Sequence, residues 1–544
     1  MHHRFLPAAL LVAVAALPAT LQAQSARQNS SADGGMVAAA QPLATEAGIR
    51  MLEMGGNAAD AAVAAGFAIA VVEPTMNSIG GRNQILIRLP DGSVAGIDGT
   101  TQAPWDYDYD TAPQASYGYP VIGVPGAVAG LMRLHGEYGS LPLATVMAPA
   151  IDLAENGFRL LPGEAARHAG GMEQGREFPG TRASYLEADG SAYDPGDMLV
   201  QKDYARTLRA IAAGGHDAFY RGEIAERMAA DLAANGSAVK LEAFHEYQAL
   251  DADIVRGSYR GYDIVGLGVP AAGAVVVQAL QALENFDPDD YTDAEWAAMT
   301  GQALGMASRE LRAINSDSAA VRAVSKEYAR YVADQIRAPA VAGGGGRGLP
   351  APLGARLDDQ GHTTHLTTAD AAGMMVALTQ TLGPNMGSKV VTPGLGFLYA
   401  STLGGYLGRM EPGDRARSFI SPVMVFRDGR PVLALGAAGG ARIVSGVTQV
   451  ISRVIDDGMD LAHALEAPRV HMNGEVLDAE TTPGIGWSPT EVAQMRALWP
   501  EVSESAWPGS FSRVHAVHFD GTTWYGGADP DWEGSARGPS NRDD

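Results

Sequence analysis

The residues best placed to do chemistry form one short run, Gly361-His362-Thr363-Thr364-His365-Leu366-Thr367-Thr368. Upstream of it lies Val341-Ala342-Gly343-Gly344-Gly345-Gly346-Arg347-Gly348-Leu349-Pro350-Ala351-Pro352, a tract no core would hold. Downstream, Gly373-Met374-Met375-Val376-Ala377-Leu378-Thr379-Gln380-Thr381-Leu382 reads as a buried strand. A threonine hydroxyl is a weak nucleophile until a base takes its proton. Breaking the bond before Thr363 gives that one residue a hydroxyl and, in its own α-amine, a general base. By composition alone, the tract over 340–362 reads first as a plain linker.

Three further groups gain meaning beside Thr363. Thr381, on the strand that follows, can face Thr363 across a hairpin. Gly436-Ala437-Ala438-Gly439-Gly440-Ala441-Arg442 stands between a strand and a helix beginning near Ile443. Consecutive glycines there present backbone N–H groups at a helix N-terminus, suited to an oxyanion; a simple packing turn is the commoner use. Ser418, before Pro422 and a strand, falls at a pocket rim or merely caps a turn. Other signatures are set aside. Gly383 to Lys389 has the wrong glycine spacing for a phosphate loop. The pairs His362/His365 and His515/His518 are three apart on strands, hence on opposite faces, and we expect no metal. No Gly-x-Ser-x-Gly elbow occurs.

The elements that must carry these groups divide at the spacer. Before it, helices are expected over 42–55, 57–72, 127–138, 204–213, 223–234, 275–285 and 294–314, with strands over 84–89 and 93–97 about the turn Pro90-Asp91-Gly92. The stretch 24–35 reads as an unstructured leader, and 125–335 as mostly amphipathic helix. After the spacer, strands are expected over 363–368, 374–381, 423–426, 432–435 and 514–519, with helices over 443–456 and 461–467. The order predicts sheets covered by helices, an α/β (α+β) fold.

Across 544 residues, 46% are hydrophobic, enough for a sizeable core, and the formal charge of −23 excludes nucleic acid or an anionic membrane as partner. Met1-His2-His3-Arg4, the apolar run to Leu21 and the small residue Ala23 read as a signal peptide over 1–23, cleaved after Ala23. With no cysteine, neither disulfide nor thiol chemistry is available. A periplasmic or secreted location is expected.

Taken in order, the residues resemble the gamma-glutamyltranspeptidase family of N-terminal nucleophile hydrolases. The resemblance rests on Met36 to Ala44, Gly55-Gly56-Asn57-Ala58-Ala59-Asp60-Ala61-Ala62-Val63-Ala64, Val72-Glu73-Pro74, Gly123-Val124-Pro125-Gly126, Phe219-Tyr220-Arg221-Gly222, Thr363-Thr364-His365, Gly439-Gly440-Ala441-Arg442 and Asp529-Pro530. It implies a four-layer αββα sandwich and self-cleavage at His362–Thr363. The products are a large-subunit segment, 24–362, and a small-subunit segment, 363–544, which stay together as a heterodimer. It implies Thr363 as nucleophile, Thr381 as its hydrogen-bond partner and the Gly439 and Gly440 amides as oxyanion donors. Ser418 lies near the substrate, and no cofactor is needed.

The departures bear on substrate. The arginine with which the family clamps a glutamyl α-carboxylate is replaced by Thr100, an asparagine by Gly383, a glutamine by Thr402, an aspartate by Gly405 and a second serine by Phe419. A zwitterionic head loses its charged partners. Arg82, standing where the family has glycine, and Arg417 offer another carboxylate anchor, against the blander use of each in a surface or ion-pair role. The expected activity is amide hydrolysis or acyl transfer on a small-molecule or peptide-like amide outside the standard γ-glutamyl class. A true glutathione hydrolase is the alternative, and a noncatalytic periplasmic binding protein a second.

Overall fold

Along the strand His362–Asp370, side chains alternate between two cores, as the two-residue period of a strand requires. Leu366 joins Ile85, Val376, Leu378 and the alanine-rich helix Ala58–Val72 on one side. Ala369 joins Leu86, Met375 and Ala377 on the other, against Met424, Ala434 and Val517 of a second sheet. The computed structural model describes residues 28–313, 321–337, 362–499, 501–507, 509 and 511–539. The expected signal peptide over 1–23 and all but the last residue of the expected spacer lie outside the described residues.

The two large sheets use strands β1 (Asn29–Ala32), β2 (Gly35–Ala39), β3 (Arg82–Arg88), β4 (Val94–Gly99), β5 (Leu250–Asp251), β6 (Ile254–Tyr259) and β7 (Tyr262–Leu267). After the spacer come β8 (His362–Asp370), β9 (Met375–Gly383), β10 (Val423–Arg427), β11 (Arg430–Ala438), β12 (Arg513–Phe519), β13 (Trp524–Ala528) and β14 (Ser535–Arg537). One seven-stranded sheet runs β14-β2-β8-β9-β3-β4-β5; the other runs β1-β13-β12-β11-β10-β7-β6. Their pairings are antiparallel.

Helices α1 (Pro42–Glu53), α2 (Ala58–Val72) and α3 (Ala127–Tyr138) cover the first sheet. Helices α4 (Gly273–Leu283), α5 (Arg442–Asp456) and α6 (Leu461–Glu466) cover the second. The result is the four-layer αββα sandwich. Helix α2 is buried on every side, which its run of small alanines permits, and a reciprocal capping box of Asn57 and Asp60 starts it. Between the sheets the approach is close: a Cβ added to Gly436 of β11 would stand 2.4 Å from the His365 ring of β8. No helix among the described residues is long and apolar enough to cross a membrane.

Two expectations are corrected. Asn29–Ala32 lies in the stretch read as unstructured, yet it pairs with β13 through its backbone, from Asn29 with Gly527 to Ala32 with Trp524. The region read as mostly helix also contains the β6–β7 hairpin, which forms the far edge of the second sheet. Its turn places Arg260 and Gly261 at φ 48° and 82°. That is the two-residue hairpin geometry, with arginine where asparagine or aspartate is the usual signal.

Candidate active site

The paired registers Thr363–Thr381 and Thr381–Arg82 set three side chains in a row across β8, β9 and β3. Residues directly opposite one another share a face, here the face turned toward the second sheet. His362 pairs with Gly383 while Thr363 pairs with Thr381, so Leu382 is an extra residue. This bulge re-aims the chain at the bond before Thr363.

All three hydrogen bonds at this point meet on one hydroxyl. Thr363 Oγ1 donates to Thr381 Oγ1 at 3.1 Å, Thr381 Oγ1 donates to the His362 carbonyl at 2.7 Å, and the Gly383 N–H donates to Thr381 Oγ1 at 2.9 Å. Both threonines are buried. The Thr381 hydroxyl therefore touches the candidate nucleophile and the carbonyl of the peptide bond it would attack. His362 is buried too, and burial, with Arg513 and other cations nearby, holds its imidazole well below its ordinary pKa.

Opposite this row, the chain leaves β11 and enters α5 through Gly439 and Gly440, at φ 137° and 59°, values that favour glycine. Their carbonyls accept from the N–H groups of Arg442 and Ile443. Among the described residues their own N–H groups donate to nothing, which leaves both amides available to a ligand oxygen.

One cavity gathers Thr363, Thr381, Gly383, Gly440, Ser418, Phe419, Arg82 and Arg417. With the His362–Thr363 bond intact it holds about 50 Å³, the space of a water or two. Thr100 and Thr402 are not among its lining residues. Thr100 donates its hydroxyl to Asp98 Oδ1 at 2.6 Å, and Thr402 donates to the Thr101 hydroxyl at 2.8 Å. Sequence reasoning missed the other wall, Pro384, Tyr406, Leu407, Ile420 and Ile443. Gly383 was the available signal: a Cβ there would stand 3.1 Å from the Tyr406 ring, so the missing side chain admits the phenol.

Arg82 departs from both bland roles. It is 3% exposed, and it forms no ion pair among the described residues. Nη1 donates to the Ser401 carbonyl at 3.1 Å and reaches the Thr101 hydroxyl at 3.5 Å, while Nε has no partner. Burial pushes the guanidinium below its ordinary pKa, with Tyr406 opposing. Arg417 is exposed at the rim. His365, by contrast, is tied to the hydroxyls of Thr379 and Thr367 at 2.8 and 2.9 Å and serves the packing between sheets.

An αββα sandwich with a threonine at the head of a central strand, facing a glycine turn, defines the class of N-terminal nucleophile hydrolases. The gamma-glutamyltranspeptidase family model matches residues 44–538, and the chain belongs to that family. A glutathione hydrolase proenzyme of Pseudomonas sp. (strain A14) is 33% identical over 473 residues, 81% of this chain and 82% of the relative. An acylase ACY 1 proenzyme of Pseudomonas sp. (strain V22) is 35% identical over 471 residues, 82% and 84% of the two chains. The crystal structure of cephalosporin acylase from Bacillus halodurans superposes with a TM-score of 0.83 at 25% identity, covering 99% of this chain and 100% of that one. The protein is accordingly an enzyme, an amide hydrolase or acyltransferase of this family.

Proposed function

We propose that the chain is a self-processing N-terminal-threonine amidohydrolase in which Thr363 is the nucleophile, first on its own backbone and then on substrate. The observation that carries this is the Thr381 hydroxyl, in contact with both Thr363 Oγ1 and the His362 carbonyl. In maturation, Thr363 Oγ attacks the His362 carbonyl carbon while its proton passes through Thr381 to the carbonyl oxygen. Collapse breaks the C–N bond and leaves His362 esterified to Thr363, whose nitrogen becomes an amine. Water then cleaves the ester, giving a His362 carboxyl group and a free Thr363 α-amine.

In turnover, that amine takes the hydroxyl proton as Oγ attacks an amide carbonyl. The Gly439 and Gly440 N–H groups receive the oxyanion, the amine leaves with a proton, and water or an acceptor amine resolves the acyl ester. The two chains remain a heterodimer, and the leader directs export to the periplasm or beyond. For the substrate we propose an amide without the zwitterionic γ-glutamyl head. No carboxylate among the described residues lines the cavity to meet an ammonium group, and Phe419, Tyr406, Leu407 and Ile420 make its wall largely apolar.

The alternative, a glutathione hydrolase or transpeptidase, is favoured by the name of the Pseudomonas sp. (strain A14) relative. Turnover of γ-glutamyl anilide against simple acyl anilides separates the two; preference for the γ-glutamyl compound would remove the substrate proposal. Denaturing electrophoresis tests the nucleophile. We expect two fragments, the smaller beginning at Thr363, and one uncleaved chain for Thr363→Ala. A wild-type chain that stays whole would favour a binding protein on the same scaffold.

A further inference from the structure

A second cavity lies beside the C-terminal end of α5, away from Thr363. It holds about 480 Å³, within the range of small-molecule sites. Its walls come from both sides of the proposed cut, with Tyr291, Trp296 and Thr300 upstream and Arg453 and Trp487 downstream. Helix α5 separates the two sites: Arg442 follows the Gly439–Gly440 turn, and Arg453 lies about three turns further on, roughly 16 Å along the axis.

The polar handles of both indoles are already used. Trp296 Nε1 donates to the Ser452 hydroxyl at 3.3 Å, and Trp487 Nε1 to the Arg469 carbonyl at 3.0 Å. What these rings and Tyr291 offer a ligand is aromatic surface. Arg453 faces backbone, its Nη1 donating to the Ala467 carbonyl at 2.9 Å and its Nη2 to that of Pro468. Against this one cation the wall carries three carboxylates, Asp293, Asp457 and Glu491. Glu491 accepts the Ser488 N–H at 2.7 Å in a capping box. The carboxylates of Asp293 and Asp457 make no hydrogen bond or ion pair among the described residues, and neither does the hydroxyl of Thr300, a residue only 1% exposed. Partial burial and Asp456 raise the Asp457 carboxyl, against the pull of Arg453, as crowded negative charges do. The carbonyl end of α5 adds a partial negative charge.

We infer that this cavity is a binding site for a small aromatic amine in its ammonium form. The ammonium meets the exposed Asp293 and Asp457 at the mouth, where the aromatic faces of Tyr291 and Trp296 favour a cation over a neutral group. The ring packs against the indoles, and the buried Thr300 hydroxyl accepts from a second polar group further in. The reaction at Thr363 makes no use of this site, and the inference stands apart from the reading of the nucleophile.

The test is a calorimetric titration of the purified full chain with tyramine, tyrosol and 4-hydroxyphenylacetate, which share a phenol and differ in an ammonium, hydroxyl or carboxylate head. We expect tyramine to bind at least about 10-fold more tightly than tyrosol, with the acid weakest. Asp293→Asn and Asp457→Asn should each weaken tyramine by roughly 3- to 10-fold and leave tyrosol unchanged. An unaltered urea midpoint shows that each variant keeps the fold. Tighter binding of the acid than of the amine would make Arg453 the anchor of an anion and overturn the inference. So would failure of all three compounds to bind below about 10 mM. Tyramine affinity unmoved by either variant would place the amine elsewhere, at Thr363 for instance, and overturn it as well.

Discussion

At the residue scale, the account depends on one hydroxyl in contact with two others. Thr381→Val keeps the shape and removes the link between Thr363 Oγ1 and the His362 carbonyl. Self-cleavage should slow by roughly 10²- to 10⁴-fold, the range for a lost proton relay, and Thr381→Ser should restore most of it; a time course on denaturing gels reads this. A second prediction concerns Glu73, whose carboxyl is raised from 4.5 to about 7 by burial and the nearby Glu164, against the pull of Arg167. Between these values the native state holds a proton that the unfolded chain lacks, so stability falls as pH rises. The contribution is full below about 4.5 and lost above about 7, on the order of 3 kcal/mol in all. Glu73→Gln should lessen the fall of the urea midpoint across that window without abolishing it, because Asp531, raised from 3.8 to about 7, leaves a slope at least as large. Thr363, Thr381, Gly439 and Gly440 were legible as candidates because local spacing marks a nucleophile, a hairpin partner and a turn. Tyr406 and the missing partner of Arg82 were not. Both depend on which distant segments arrive at the cavity, and nothing near residue 82 records that none of the described carboxylates will.

At the element scale, the site depends on two sheets packed closely enough for β11 to face β8. Gly436→Ala should push them apart at His365, since the new Cβ falls 2.4 Å from the ring. A loss of about 1–3 kcal/mol is expected in denaturant unfolding, together with slower self-cleavage. The hairpin about Pro90-Asp91-Gly92 and the alanine-rich α2 were readable because turn chemistry and small residues state their own requirements. The β6–β7 hairpin was hidden because Arg260 occupies a left-handed position that asparagine usually announces. Strand β1 was hidden because Asn29, Ser30 and Ser31 have no strand pattern; backbone pairing with β13 alone specifies it.

At the scale of the whole molecule, the proposed cut falls inside a sheet rather than between domains. β8 and β9, downstream of the bond, lie between β2 and β3, upstream of it. The two fragments should therefore co-elute on size exclusion and separate only in denaturant; separation in native buffer would contradict the shared sheet. Sheets covered by helices were readable from element order, and the resemblance implied the four layers, but the interleaving of the two halves was not readable, because strand order depends on pairings hundreds of residues apart. The central claim remains that Thr363 both makes the cut and carries the acyl group. Intact-mass analysis after brief exposure to an activated amide tests it most directly. The account predicts a small chain that begins at Thr363 and bears one acyl group, mapped to that residue. An acyl group on any other side chain, or steady turnover by an uncleaved chain, would contradict it.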